Sequence, residues 1–143
     1  MAYAADLAAA HRGARALAQI YWDARHSFTF GVPALPVDEC IQMAVAAAAR
    51  PVVISDSGDN PTAGGVGDVP YLLERLIAHG APDAIYASIA DSTAVAVCHA
   101  AGPGANVRLS LGGKLDPVHG QPLEISGVVK TVVTVPWPLY GPE

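Results

Sequence analysis

Apolar residues recur at helical spacing through the first part of the chain. Leu7, Ala10, Ala14, Leu17, Ala18, Tyr21 and Trp22 fall on one stripe, while Arg12, Arg15, Gln19 and Asp23 lie largely elsewhere. That period predicts an amphipathic helix over residues 3–26. The stretch "TFGVPALP", with one glycine and two prolines, ends it. A second helix is predicted over 37–49, with Asp38 and Glu39 in an acidic first turn and Pro51 barring its continuation.

The period then changes. "VVIS", residues 52–55, is a short, continuously apolar run, the kind buried on both faces of a parallel sheet. A helix is predicted over 69–79, ended by Gly80, and "DAIYASI" reads as the next strand. Asp91 or Ser92 caps a helix to about Ala101, closed by "GPG", and "NVRLSL" is a third strand. This order of strand, loop, helix, strand, helix and strand predicts a three-layer α/β fold with a parallel or mixed sheet. "LEISGVVKTVVTV" alternates and is β-branched, so it predicts an antiparallel extension near the C-terminus. The expected organisation is a helical lead-in over 1–50 and an α/β domain over 51–143.

Composition narrows the class. The chain has 143 residues, 52% of them hydrophobic and 15% charged, with a net charge of -5 and no basic cluster. Nucleic acid and anionic membrane surfaces need a basic footprint, so neither is an expected partner. Asp6, His11, Arg12 and Arg15 interrupt the N-terminal apolar run, so it does not read as a signal peptide. The longest uncharged run, Ser92–Val107, contains Gly102, Pro103 and Gly104 and does not read as a membrane span. Cys40 and Cys98 stand outside any CxxC spacing, and they read as reduced thiols of a cytoplasmic protein.

Candidate chemistry concentrates in "ISDSGDNPTAGGVGDV", residues 54–69, between a strand and a helix. Ligands of open α/β sheets bind at the carboxyl ends of strands. The loop holds Asp56, Asp59, Asn60 and Asp68 among Gly58, Gly64, Gly65 and Gly67. It is neither a Walker A loop nor GxGxxG, and its carboxylates argue against simple phosphate binding. They fit a network that orients a metal ligand or a substrate amine; the alternative is an Asx-rich turn with Asp68 as helix N-cap. Two further strand ends carry polar groups, Asp91 and the run Gly112-Gly113-Lys114. Asp56, Asp59, Asn60, Gly64, Gly65, Asp91 and Lys114 are therefore the candidate substrate-binding residues. The histidines, at 11, 26, 79, 99 and 119, show no HExxH or HxH spacing, so no metal ligand is assigned. His99 reads as a helix-end residue and His119 as a loop residue.

These motifs resemble the C-terminal domain of the MlrC family, the microcystin-degradation proteins grouped with M81-type zinc metallopeptidases. The family pattern of D-x-x-DNP, a glycine-rich stretch and a closing GD is matched by Asp56, Asp59, Asn60, Pro61, Gly64, Gly67 and Asp68. Asp91, Ala94, Val95, Cys98, Ala101 and Gly102 match a second block, with Ser92 in place of the usual proline, and Leu111–Lys114 match L-G-G-K. Trp22, Arg25 and Phe28 resemble the segment that precedes this domain, so the likeness runs over about residues 5–130. It departs at Thr62 and Ala63, where relatives often carry glycine.

The resemblance implies part of a zinc-dependent peptidase or amidohydrolase acting on small peptides or amides. This piece would form one wall of the cleft, and the zinc ligands are expected outside the chain, in an N-terminal domain. The alternative is a non-catalytic α/β module that binds a small molecule or a partner. A piece of a larger protein is expected to expose apolar surface on helices 3–26 and 37–49 and on "TVVTVPWPLY". Self-association or contact with the missing domain would follow.

Overall fold

The computed structural model describes residues 3–134, and the expected tail "PWPLY" lies outside them. The chain divides after Leu35 into two compact units. The first is built on α1, Leu7–Ala24. Its start is fixed by Asp6, whose Oδ1 accepts from the Ala9 amide at 2.7 Å, an N-cap that satisfies a free donor of the first turn. Its end is fixed by Arg25, which donates from Nη1 to the Trp22 carbonyl at 2.7 Å. The same guanidinium lies 4.3 Å from the centroid of the Trp22 ring. Tyr21 and Phe28 pack with ring centroids 5.0 Å apart. None of the α1 residues is buried, so its apolar stripe stays uncovered along Leu7, Leu17 and Tyr21.

In the second unit, α2 (Val37–Ala46) carries Ile41 into the core at 1% exposure. This helix stops three residues short of its expected end. The guanidinium of Arg50 takes the Ala44 carbonyl at 2.6 Å and the Val45 carbonyl at 3.0 Å, which satisfies acceptors a continuing helix would have used. A two-pronged ion pair joins α2 to α3, Tyr71–Ala78. Arg75 Nε and Nη2 donate to Asp38 Oδ1 and Oδ2 at 2.7 and 3.1 Å, and His79 Nε2 lies 3.0 Å from Asp38 Oδ1. The guanidinium bond first, and the His79 contact second, hold the Asp38 carboxyl below its usual range.

Helix α4, Ser92–Ala101, follows its sequence signals closely. Asp91 Oδ1 accepts from the Ala94 amide at 3.0 Å, and Gly102, at a φ of 78°, ends the helix. Helix α4 packs on β1, Asn106–Leu111, which pairs antiparallel with β2, Leu123–Val128. The register sets Asn106 opposite Val128 and Leu111 opposite Leu123. Along β1 the half-buried residues Val107, Leu109 and Leu111 alternate with exposed Arg108 and Ser110, the period of two that the sequence shows. Ile41, Leu72, Ala94 and Val129 form the buried apolar centre among the described residues.

The class is mixed α/β, as expected, and the antiparallel extension is present. The strand content differs. Residues 52–55 and 84–88 pair with no strand, so among the described residues the sheet has two antiparallel strands rather than a parallel or mixed set. Strands exist by satisfying one another's backbone groups and by covering one another's side chains. Val53 at 84% and Ile85 at 95% exposure have no such cover.

Candidate functional site

The polar loops meet where the chain turns after residue 55, at residue 91 and after β1. Within 56–65 the contacts are local. Asp56 Oδ1 accepts from the Gly58 amide at 2.7 Å and the Asp59 amide at 3.3 Å, an Asx turn. Asn60 Oδ1 accepts from the Thr62 amide at 3.0 Å and its hydroxyl at 2.7 Å, which caps a turn of 3₁₀ helix at Pro61–Ala63. Gly64 ends that turn at a φ of 99°, and Gly65 is needed for closeness, because a Cβ there would sit 2.6 Å from the Asn60 nitrogen.

Asp59 reaches further. Its Oδ1 accepts from the Gly67 amide at 2.7 Å and its Oδ2 from the Val69 amide at 2.8 Å, so one carboxylate folds the glycine-rich stretch back on itself. Two more carboxylates tie separate loops together. Asp68 is fully buried, and its Oδ2 accepts from the backbone amides of Lys114 and Leu115 at 2.7 and 2.6 Å. Its Oδ1 has no hydrogen-bond partner among the described residues. Asp91, 8% exposed, caps α4 with one oxygen. Its other oxygen takes the Gly112 amide at 2.9 Å and the Lys114 ammonium at 2.5 Å. Lys114 Nζ also donates to the Ser110 carbonyl at 2.6 Å.

Backbone bonds complete the crossing: the Ala90 amide donates to the Gly67 carbonyl at 2.8 Å and the Gly113 amide to the Asp68 carbonyl at 2.7 Å. Gly112 admits this approach, because a Cβ there would lie 2.3 Å from the Asp68 carbonyl oxygen. Burial alone would raise the Asp91 carboxyl. The Lys114 ammonium, then the Ala94 and Gly112 amides, outweigh it and hold the group at about 2.

The structure thus brings Asp59, Asp91 and Lys114 into one network and leaves Asp56, Asn60, Gly64 and Gly65 as the local frame of the loop. Asp68 is not the helix N-cap it was expected to be. Helix α3 starts at Tyr71 with Pro70 at its cap position and no side-chain cap bond, and the Asp68 carboxylate is engaged 46 residues further on. Tyr86 was missed by the sequence reading. Burial, then the negative charge of Asp56 and Asp59, raises its phenol above the ordinary value. It lines an apolar cavity of about 550 Å³ together with Leu73, Leu76, Ile77, Ile89 and Leu111.

Two of the carboxylates are already committed. Asp59 and Asp91 spend both oxygens on backbone amides or Lys114. No group of three or more His, Cys, Asp or Glu side chains stands together to hold a metal ion among the described residues. No helix among them is long and apolar enough to cross a membrane.

The chain belongs to the MlrC family in its C-terminal domain: the family model, MlrC C-terminus, matches residues 54–143. Among characterised proteins it is similar to Microcystinase C of Sphingomonas sp, with 36% identity over 89 residues. That match takes in 62% of this chain and 18% of the microcystinase. Among solved structures it is similar to a candidate metallopeptidase from Mesorhizobium sp. BNC1, with a TM-score of 0.65 and 26% identity. There the match covers 86% of this chain and 24% of the other, so the chain spans a quarter or less of the relatives it matches.

Proposed function

We propose that the protein acts as part of a peptidase-type hydrolase of small peptides or amides, with the 56–68, 91 and 112–114 loops forming one wall of the substrate cleft. Family membership and the likeness to a microcystinase and a candidate metallopeptidase support the reaction class. The observation that carries the role of this chain is the crossing itself. Asp59 closes the first loop on itself, and Asp68 and Asp91 tie that loop and residue 91 to the 112–115 loop. Such rigidity suits a surface that must hold a scissile bond to within a fraction of an ångström. In this reading the protein is a cytoplasmic, M81-type enzyme that uses zinc, with the metal ligands outside the described residues. This chain contributes position: Asp56, Asp59, Asn60, Asp91 and Lys114 shape the polar wall, and Gly64 and Gly65 expose backbone to the substrate.

The test is hydrolysis of short peptides and amides by the full-length protein, with and without chelator, for the unaltered sequence and for Asp59→Ala. Chelator-sensitive turnover that falls in a folded Asp59→Ala variant supports the reading. Turnover that ignores the substitution overturns the cleft-wall role, and the absence of any amide hydrolysis overturns the reaction class.

A further inference from the structure

A second group of ionisable side chains lies outside this crossing, in a recess of about 360 Å³ between the first turn of α3 and residues 118–123. His119 Nδ1 stands 2.6 Å from Asp116 Oδ2. Asp116 Oδ1 accepts from the Val118 and His119 amides at 3.0 and 3.1 Å, and the Gly120 amide returns to the Asp116 carbonyl at 3.2 Å. The 116–120 turn is therefore closed and the ring is held. The bond from His119 comes first among the causes that lower the Asp116 carboxyl, so the carboxylate is ionised at neutral pH. A carboxylate this close fixes the proton of the neutral ring on Nδ1, which leaves Nε2 as an acceptor. The side chain is 75% exposed, and Nε2 has no partner among the described residues.

Glu74 also lines the recess, and its carboxylate has no ion pair or hydrogen bond among the described residues; its neighbour Arg75 is committed to Asp38. The ionisable residues lining the recess are Tyr71, Glu74 and His119, and Asp116 lies behind the ring; no lysine or arginine lines it. Pro70, Val118 and Leu123 supply apolar wall. With the ring neutral, such a cup offers acceptors and negative charge to its occupant. It is joined to the crossing: a Cβ on Gly120 would meet Val69 Cγ1 at 3.2 Å, immediately after Asp68.

We propose that this recess is a binding subsite for a primary ammonium flanked by an apolar group, held between the Glu74 carboxylate and Nε2 of a His119 ring oriented by Asp116. Taking that ammonium as the amino end of a peptide substrate rests on the peptidase reading above; the binding itself does not. Asp116 is the positioning residue, since it acts through the ring.

The experiment is NMR of the ¹⁵N-labelled protein at neutral pH, following the His119 ring signals as leucinamide or N-acetyl-leucinamide is added. Leucinamide is expected to shift them saturably, and the acetylated probe, which lacks the ammonium, to leave them in place. Glu74→Gln should weaken leucinamide roughly tenfold or more, the loss expected for one charge-assisted hydrogen bond. Its melting temperature should hold, because Glu74 is exposed and unpaired. Asp116→Asn should release the tautomer, visible as an Nε2–H ring signal. Equal shifts from both probes, no shift from either, or unchanged affinity in Glu74→Gln overturns the assignment. Because turnover is not read, a protein that hydrolyses no amide can still pass this test, and an active one can fail it.

Discussion

The carboxylate of Asp68 and the backbone amide of Leu115 are 2.6 Å apart across 47 positions of sequence. Among the described residues both donors that reach this carboxylate converge on Oδ2, and Oδ1 receives none. A single acceptor oxygen is therefore what the site uses.

Asp68→Ala leaves two part-buried amides without an acceptor, and we expect it to lower stability by about 3 kcal/mol. Asp68→Asn keeps one carbonyl oxygen in place and should cost about 1 kcal/mol. Denaturant unfolding of both variants checks this. Equal losses would mean that the negative charge, rather than the acceptor, does the work.

Asp91 makes the protein acid-sensitive in a defined window. Its carboxyl is held at about 2 in the fold against an ordinary value of 3.8. A depressed carboxyl stabilises the fold above its unfolded value and loses that contribution as pH falls toward the folded value. Stability should thus drop by about 2 kcal/mol between pH 4 and pH 2. Lys114→Met removes the strongest bond that lowers the group, so the loss should be smaller and should end at higher pH. Urea midpoints measured across the acid range would show no such displacement if Lys114 is a bystander.

Asp59→Ala and Asn60→Ala separate the frame of the loop from its use. Asn60 serves only its own turn, so its loss should cost about 1 kcal/mol. Asp59 holds two amides across the loop and should cost more. If the loop is a cleft wall, kcat/KM should also fall, on the order of tenfold to a thousandfold. Melting temperature and kcat/KM are read together, and lower stability with unchanged kcat/KM would leave only a turn.

Tyr86 should ionise late. Burial and the charges of Asp56 and Asp59 disfavour its phenolate. A phenol raised in the fold contributes stability below its unfolded value, near 10.0, and loses it as pH rises through the folded value. Spectrophotometric titration should lose its most alkaline phenolate step in Tyr86→Phe. Persistence of that step in the variant would reassign it.

How far the sequence reaches is set by the distance between partners. Helix α4 was readable at both ends because Asp91 caps it locally and Gly102 closes it locally. The β1 and β2 segments were readable from their alternation. Residues 52–55 and 84–88 were not, because an apolar run states only that a segment wants cover, and pairing depends on what lies beside it. The loop residues divide in the same way. The Asx turns of Asp56 and Asn60 follow from neighbours two or three positions on. Asp68 looked like a cap because its local sequence suits one, and its partners at 114 and 115 are beyond any local pattern. The polar ends of successive expected strands brought Asp91 and Lys114 into view together, and the geometry shows a direct bond between them.

Gly112 and Gly113 both take positive φ, 65° and 59°, and a Cβ on Gly113 would meet the Gln121 carbonyl carbon at 2.4 Å. The L-G-G-K signature therefore records a steric tolerance of less than one methyl group, demanded by the way two chain segments cross. Selection for that clearance acts on every protein with this crossing, whether or not it turns over a substrate. A descendant without any chemistry would keep the glycines for as long as it kept its shape, so the signature marks the architecture and is silent on activity.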